Sequence, residues 1–171
     1  MFLCIGADGV GYVQSPTPSN APAAPLGDAL APVVAGARRR ALRDGDRQID
    51  TAHLLHSLLE ADPEVRAAFD DKAQVARLLG YLVQRSIGYG LRWQGAVEDS
   101  GAVPVLGGAP ALSPLVAAAM EAASARAASR GEAWARGLDL LAALAADGEC
   151  RAVEVLGRAG VEVARLRRRL G

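Results

Sequence analysis

The feature that most constrains this chain is an internal duplication. Residues 49–59 read IDTAHLLHSLL, and a diverged copy, ARGLDLLAALA, returns at residues 135–145. The offset is 86 positions, Gly131 minus Gly45 or Leu140 minus Leu54. At that offset Leu26 falls on Leu112, Ala37 on Ala123 and Ala41 on Ala127. Gly45, Leu54, Leu55 and Leu58 fall on Gly131, Leu140, Leu141 and Leu144. After a two-residue shift the register resumes, Val75-Ala76-Arg77-Leu78 becoming Val163-Ala164-Arg165-Leu166 and Leu82 becoming Leu170. A matched set of apolar positions plus a turn glycine marks a tandem repeat, each unit of which must bury its apolar face against its neighbour.

Each unit reads as four helices. Leu26, Leu30, Val33, Val34, Ala37 and Ala41 recur at helical spacing and predict a helix over roughly 28–43. Gly45 supplies the terminating turn. Asp50 or Thr51 can cap the next helix, which carries Leu54, Leu55, Leu58 and Leu59 on one stripe. Pro63 opens a short third helix with Val65 and Phe69, and Val75, Leu78, Leu79 and Leu82 mark a fourth. In the second unit Ser113 can cap and Pro114 suits the first helical position. Leu115, Val116, Ala119, Met120, Ala123 and Ala127 face inward, and further helices follow over 138–146, 151–158 and 161–170. The expectation is an all-α protein of two tandem four-helix repeats with pseudo-twofold symmetry. Repeat one spans 26–86 and repeat two 112–171. Residues 1–25, rich in proline, alanine and serine, read as a flexible arm. Residues 87–111 form a glycine-rich connector whose Tyr89 and Trp93 are either a lid over the repeat seam or ligand contacts.

Composition narrows the function classes. Formal net charge is zero, so no global field draws the chain to nucleic acid or anionic membrane. Cys4 and Cys150 are too few and too far apart for a disulfide framework. No apolar run reaches membrane-spanning length and no secretory signal is evident, so a soluble cytoplasmic protein is expected. GADGVGY, residues 6–12, lacks the preceding strand and following helix of a phosphate loop, and no Walker-type G-x-x-x-x-G-K-[ST] is present.

The residues carry a resemblance. Two four-helix units, each with a glycine turn and a V-x-x-L closing helix, the first with Thr-x-His-Leu-Leu in its second helix, resemble the Clp amino-terminal (Clp repeat) domain. The resemblance covers about residues 26–170, but without the ATPase modules. Its best motif is Ile49-Asp50-Thr51-Ala52-His53-Leu54-Leu55, similar to the family's I-G-T-E-H-hydrophobic-L with alanine in place of glutamate. In the second copy Arg136, Gly137, Leu138 and Asp139 stand where Gly, Thr, Glu and His would. That domain sits at the front of Clp-type unfoldases and receives substrates and adaptors. The resemblance therefore implies a non-catalytic binding module for a peptide, degron, adaptor or Clp machine, or for a small cyclic ligand. An adaptor, decoy or sequestering role follows, with Thr51, Ala52, His53, Leu138, Asp139, Tyr89 and Trp93 as candidate contacts. Some relatives read phosphorylated arginine through the two glutamates, which here are Ala52 and Leu138, so weak phosphoarginine binding and a taste for apolar ligands are expected.

Competing chemistries are weaker. His53 and His56, with Asp50 or Glu60, have the spacing of a metal pair, but His53 reads as a locally bonded helix-start residue and His56 as partly exposed. No metal and no cofactor is expected. Ser57 near His56 has no nucleophile elbow, so no enzyme is expected. Arg38, Arg39 and Arg40 read as a solvated outer arc of the first helix. The alternative they leave is a small helical regulator associating with nucleic acid through these and the C-terminal arginines.

Overall fold

A computed structural model describes residues 27–86 and 110–171. The N-terminal arm and almost all of the connector, including Tyr89 and Trp93, lie outside the described residues. Helix α1 spans Ala31–Asp44, α2 Thr51–Ala61, α3 Pro63–Ala67 and α4 Lys72–Ser86. The second unit repeats the order with α5 Pro114–Ser129, α6 Gly137–Ala146, α7 Arg151–Arg158 and α8 Val163–Leu170. The fold is all-α, as the duplicated pattern predicts.

The turn glycines show how closely the copies agree. Gly45 and Gly131 adopt left-handed φ of 73° and 75°, a conformation that costs a residue with a Cβ. Beyond each, the next backbone N–H returns to the same kind of carbonyl: Asp46 to Ala41 at 2.9 Å, Glu132 to Ala127 at 3.0 Å. These are paired Schellman-type endings.

Helix α2 is the centre of repeat one. Its nine residues from Thr51 to Leu59 are all buried, because neighbours cover it on every side. Its counterpart α6 is buried from Leu140 to Ala145. The two pack on each other, α1 covers α2, and α5 covers α6. Contacts also cross between repeats, α2 against α7 and α6 against α3. Small side chains let these helices approach: a Cβ on Gly36 of α1 would stand 3.0 Å from the Ser57 hydroxyl of α2.

Several details differ from the sequence reading. Helix α1 begins at Ala31, since residues 28–30 form a turn that buries Leu30. Phe69 lies past the end of α3 yet is buried. Two strands were not foreseen: β1, Gln48–Ile49, pairs in parallel with β2, Ala111–Leu112, and Ser113 N–H extends the ladder to the Ile49 carbonyl at 2.9 Å. Two-residue strands carry too few positions to show a period. Among the described residues no helix is long and apolar enough to cross a membrane.

The twin-centre architecture has a direct test. Leu55 and Leu141 are both 0% exposed, so truncating either to alanine is expected to cost about 2–5 kcal/mol. Truncating the exposed Arg39 is expected to cost less than about 0.5 kcal/mol. Guanidinium denaturation that finds Leu141→Ala as harmless as Arg39→Ala would refute the equivalence of the two repeats.

Candidate functional site

The sequence-predicted site residues cluster at the N-termini of α2 and α6. Asp50 caps α2, its Oδ1 accepting from His53 N–H at 2.8 Å, while Asp50 N–H donates to His53 Nδ1 at 3.1 Å. The other carboxylate oxygen takes Arg151 Nη1 at 2.8 Å across the repeat seam. Thr51 Oγ1 accepts from Ala152 N–H at 3.0 Å, closing the first turn of α7 onto that of α2. On the other side of the pseudo-twofold, Gly137 occupies the Thr51 position. A Cβ there would stand 2.0 Å from Asp62 Oδ2 and 3.0 Å from Val65 Cγ2, so only glycine fits α6 against α3. Thr51 and Gly137 are therefore seam residues.

The remaining candidates are inward-facing too. Ala52 is 0% exposed, and Leu138 is half-buried against the core. Asp139, at the His53 position, is buried; it accepts Arg136 N–H at 3.0 Å and receives Arg130 through both oxygens at 2.7 and 2.8 Å. Burial alone would raise its pKa, but the Arg130 guanidinium and the Arg136 N–H hold it below the ordinary carboxylate range. Arg130 also reaches Glu132 at 3.0 Å. In repeat one the matching place holds His53 Nε2 facing Asp46 Oδ2 at 3.2 Å and Asp44 Oδ2 at 3.7 Å. The two helix starts share a geometry, with Arg130 and Asp139 of repeat two standing where repeat one has Asp44 and His53.

Two expectations about polar residues are corrected. His56 is 4% exposed, not partly solvated, because α1 covers that face of α2. Arg40 is not on a solvated arc: it reaches Glu60 and Ser57 across the α1–α2 contact, with its side chain 14% exposed. His56 Nε2 lies 3.2 Å from Glu60. Burial first, then the Arg40 charge, outweigh Glu60 and push His56 down from 6.5 to about 4. Burial would raise Glu60, but Arg40 and His56 hold it below its ordinary value. Ser57 faces Arg40 and Gly36. The C-terminal arginines are also engaged, Arg169 with Asp70 at 2.8 Å and Arg167 with the Ala146 carbonyl at 3.1 Å.

What opens to solvent lies beside Thr51. A cleft of about 300 Å³ runs between α5 and α6, lined by Leu115, Ala118, Ala119 and Ala122 on one wall and Ala143, Leu144 and Ala146 on the other. Thr51 and Cys150 line it as well, and Asp147 is its charged residue. Ala118, Ala122 and Ala146 are exposed, while Ala119, Ala143 and Leu144 are buried. Among the described residues, Thr51 is the one candidate site residue from the sequence that lines it. The missed signal was the run of alanines in α5, where positions 118 and 122 place small apolar residues outward at i and i+4.

Comparison with solved structures follows the same lines. The N-terminal domain of the caseinolytic protease associated chaperone ClpD from Arabidopsis thaliana superposes with a TM-score of 0.62 at 16% identity, over 85% of this chain and 91% of that one. The Hsp104 N-terminal domain from Candida albicans gives 0.57 at 12% identity, over 85% and 88%. A structure from a malarial protein secretion system gives 0.60 at 15% identity, over 85% and 91%. This chain has a Clp N-domain-like fold. No family model matches the sequence, and no curated protein matches it. At such identities the shared property is the Clp N-domain-like architecture.

Acid stability tests the burial of His56. A histidine whose folded pKa lies below its unfolded value binds its proton more readily when unfolded, so stability is lost as pH falls below 6.5 and stops falling near 4. The lowered Glu60 and Asp139 act in the same direction, further into acid. The His56 contribution between neutral pH and pH about 4.5 is roughly 2 kcal/mol. Thermal melts are expected to show this loss, and His56→Gln to flatten it; identical pH slopes would contradict a buried neutral imidazole.

Proposed function

We propose that this chain is a non-catalytic protein-binding module that receives an apolar peptide segment in the α5–α6 cleft. The observation that carries this reading is the alanine-walled cleft itself, set on a Clp N-domain-like fold. Alanines make up half of its lining, so beside Leu115 and Leu144 a ligand's apolar side chain meets backbone-proximal carbon at Ala118, Ala122 and Ala146. The volume accommodates one or two large apolar side chains. Each fully buried leucine or phenylalanine is worth about 1.5–3 kcal/mol, and association itself costs several kcal/mol. Binding through the cleft is therefore weak and readily reversible, which suits an adaptor or sequestering partner that hands segments on to a Clp machine. Asp147 at the cleft favours a basic residue flanking the anchor.

The same geometry disfavours a charged guanidinium ligand at the helix starts. With Ala52 buried, Leu138 apolar and Asp139 already committed to Arg130, phosphoarginine would lose hydration and find no carboxylate in return. Absence of two charged hydrogen bonds, each worth about 1.5–3 kcal/mol, corresponds to a loss of a hundredfold or more. Calorimetry with phosphoarginine is expected to show no micromolar binding; micromolar binding that survives Asp139→Ala would overturn this expectation.

The cleft is tested with an array of ten-residue peptides bearing apolar anchors, with and without a flanking arginine. Apolar-anchored peptides are expected to bind, and Ala122→Trp, which fills the cleft from its exposed wall, is expected to weaken them about tenfold or more. Failure of all peptides, or binding indifferent to Ala122→Trp, would refute the cleft as the receiving site.

A further inference from the structure

The outer face of α1 carries more charge than its packing uses. Arg38, Arg39 and Arg43 are exposed, and Leu42 beside them is 56% exposed. At about 100° per residue these four share one arc of roughly 140°, in the order Arg38, Leu42, Arg39, Arg43. An exposed leucine is thus flanked by arginines on both sides. Among the described residues Arg38 and Arg39 make no hydrogen bond or ion pair, and Arg43 pairs with its neighbour Asp44 at 3.3 Å. We propose that this arc is a docking surface for an acidic, amphipathic helical segment of a protein partner, separate from the α5–α6 cleft.

The internal repeat separates what the fold needs from what it does not. Arg40, next to Arg38 and Arg39 in sequence, packs inward against Glu60 and Ser57. The 86-position offset carries it onto Arg126, which is engaged too, donating to the Leu170 carbonyl at 2.6 Å. The same offset carries Arg38, Arg39, Leu42 and Arg43 onto Ser124, Ala125, Ala128 and Ser129. Helix α5 nevertheless ends in the same left-handed glycine turn and covers α6 as α1 covers α2. Packing therefore keeps the inward arginine in both repeats and has no use for the outward three and their leucine.

The chemistry of the arc selects its occupant. Three guanidinium groups, each able to grip a carboxylate through two parallel N–H bonds, call for aspartate or glutamate. The chain's own acids nearby do not supply them: Glu60 is held by Arg40, Asp46 faces His53 at 3.2 Å, and the Asp44 side chain is 9% exposed. The leucine argues against a nucleic-acid backbone, since it sets apolar surface at the middle of the arc where phosphates would lie, and the whole chain has zero formal net charge. A single exposed leucine is also too little apolar surface to hold a membrane. A helix whose apolar stripe lies on Leu42 and whose glutamates reach to either side satisfies both features. Arg38 to Arg43 covers about 7.5 Å of helix axis, so two turns of such a partner suffice. Exposed ion pairs contribute little each, so the contact is weak, quickly reversed and loosened by salt.

Fluorescence anisotropy with the full chain tests the surface, using a labelled helical peptide of about five turns with a leucine stripe flanked by glutamates. Binding is expected at about 100 μM or tighter in low salt. Raising salt from about 20 to about 300 mM is expected to weaken it about tenfold or more. Giving the arc its repeat-two residues, Arg38→Ser, Arg39→Ala and Arg43→Ser together, is expected to weaken binding about tenfold or more, and Leu42→Ala about threefold or more. All four positions are exposed, and far-ultraviolet circular dichroism checks that the variants fold. Ala122→Trp, which fills the cleft, is expected to leave this binding unchanged. No binding in low salt, or binding untouched by the triple variant, would overturn the proposal. So would equal binding of a peptide whose residues are shuffled to break the stripe, or loss of binding in Ala122→Trp. Tighter binding of single-stranded DNA or of phosphatidylserine vesicles than of the peptide would overturn the choice of a protein partner.

Discussion

The first turn of α2 is the point on which the two repeats depend. Asp50 there caps its own helix, engages His53 through both backbone and side chain, and holds Arg151 of the opposite repeat. A buried ion pair of this sort adds little net stability, because desolvation offsets most of its attraction. Its effect is on register: an unpaired Asp50 or Arg151 at a closed seam would be costly, so slipped arrangements of the two units are disfavoured. Thr51 adds a directional bond to the Ala152 N–H. The opposite seam reaches the same closeness by subtraction, with Gly137 removing a side chain where Asp62 already stands.

The architecture was legible in the sequence because its information lies in apolar positions, which must match when two units bury the same face. Leu54 and Leu140, Leu55 and Leu141, and Leu58 and Leu144 are all at most 1% exposed. The turn glycines were legible for an equally local reason, a left-handed backbone. Polar positions obey a looser rule. Asp139 in place of His53 reads as divergence of the second copy, but the structure pairs each residue with its own polar partners at the same helix-start geometry. An acid at 139 is matched by an arginine at 130, and an imidazole at 53 by acids at 44 and 46. Pairwise compensation cannot be seen by comparing one column of a repeat at a time.

The open face was the least legible part. An alanine facing solvent and an alanine facing a neighbouring helix are identical in a periodic pattern, and α5 carries both kinds. Ala119 and Ala123 seat α5 on α6, whereas Ala118 and Ala122 edge the cleft. The sequence reading placed candidate ligand contacts at the helix starts, where the side chains also serve caps and the seam. Of those residues Thr51 alone touches both, since it bonds α7 through its hydroxyl and lines the cleft.

That double role links the cleft to the seam mechanically. Thr51 and Cys150 stand where α2, α6 and the start of α7 converge, and the Cys150 thiol reaches the Leu144 carbonyl at 3.2 Å. An apolar side chain entering between α5 and α6 thus presses on the first turn of α2. Close-packed interiors pass such strain on instead of absorbing it. Parallel pairing of β1 with β2 brings the segment leading into α5 against the segment leading into α2, so the α5 wall of the cleft and the first turn of α2 share one anchor. The capped, ion-paired start of α2 is therefore the element at which the cleft and the seam between the repeats meet, and a segment bound in the cleft as proposed would act on the seam through it.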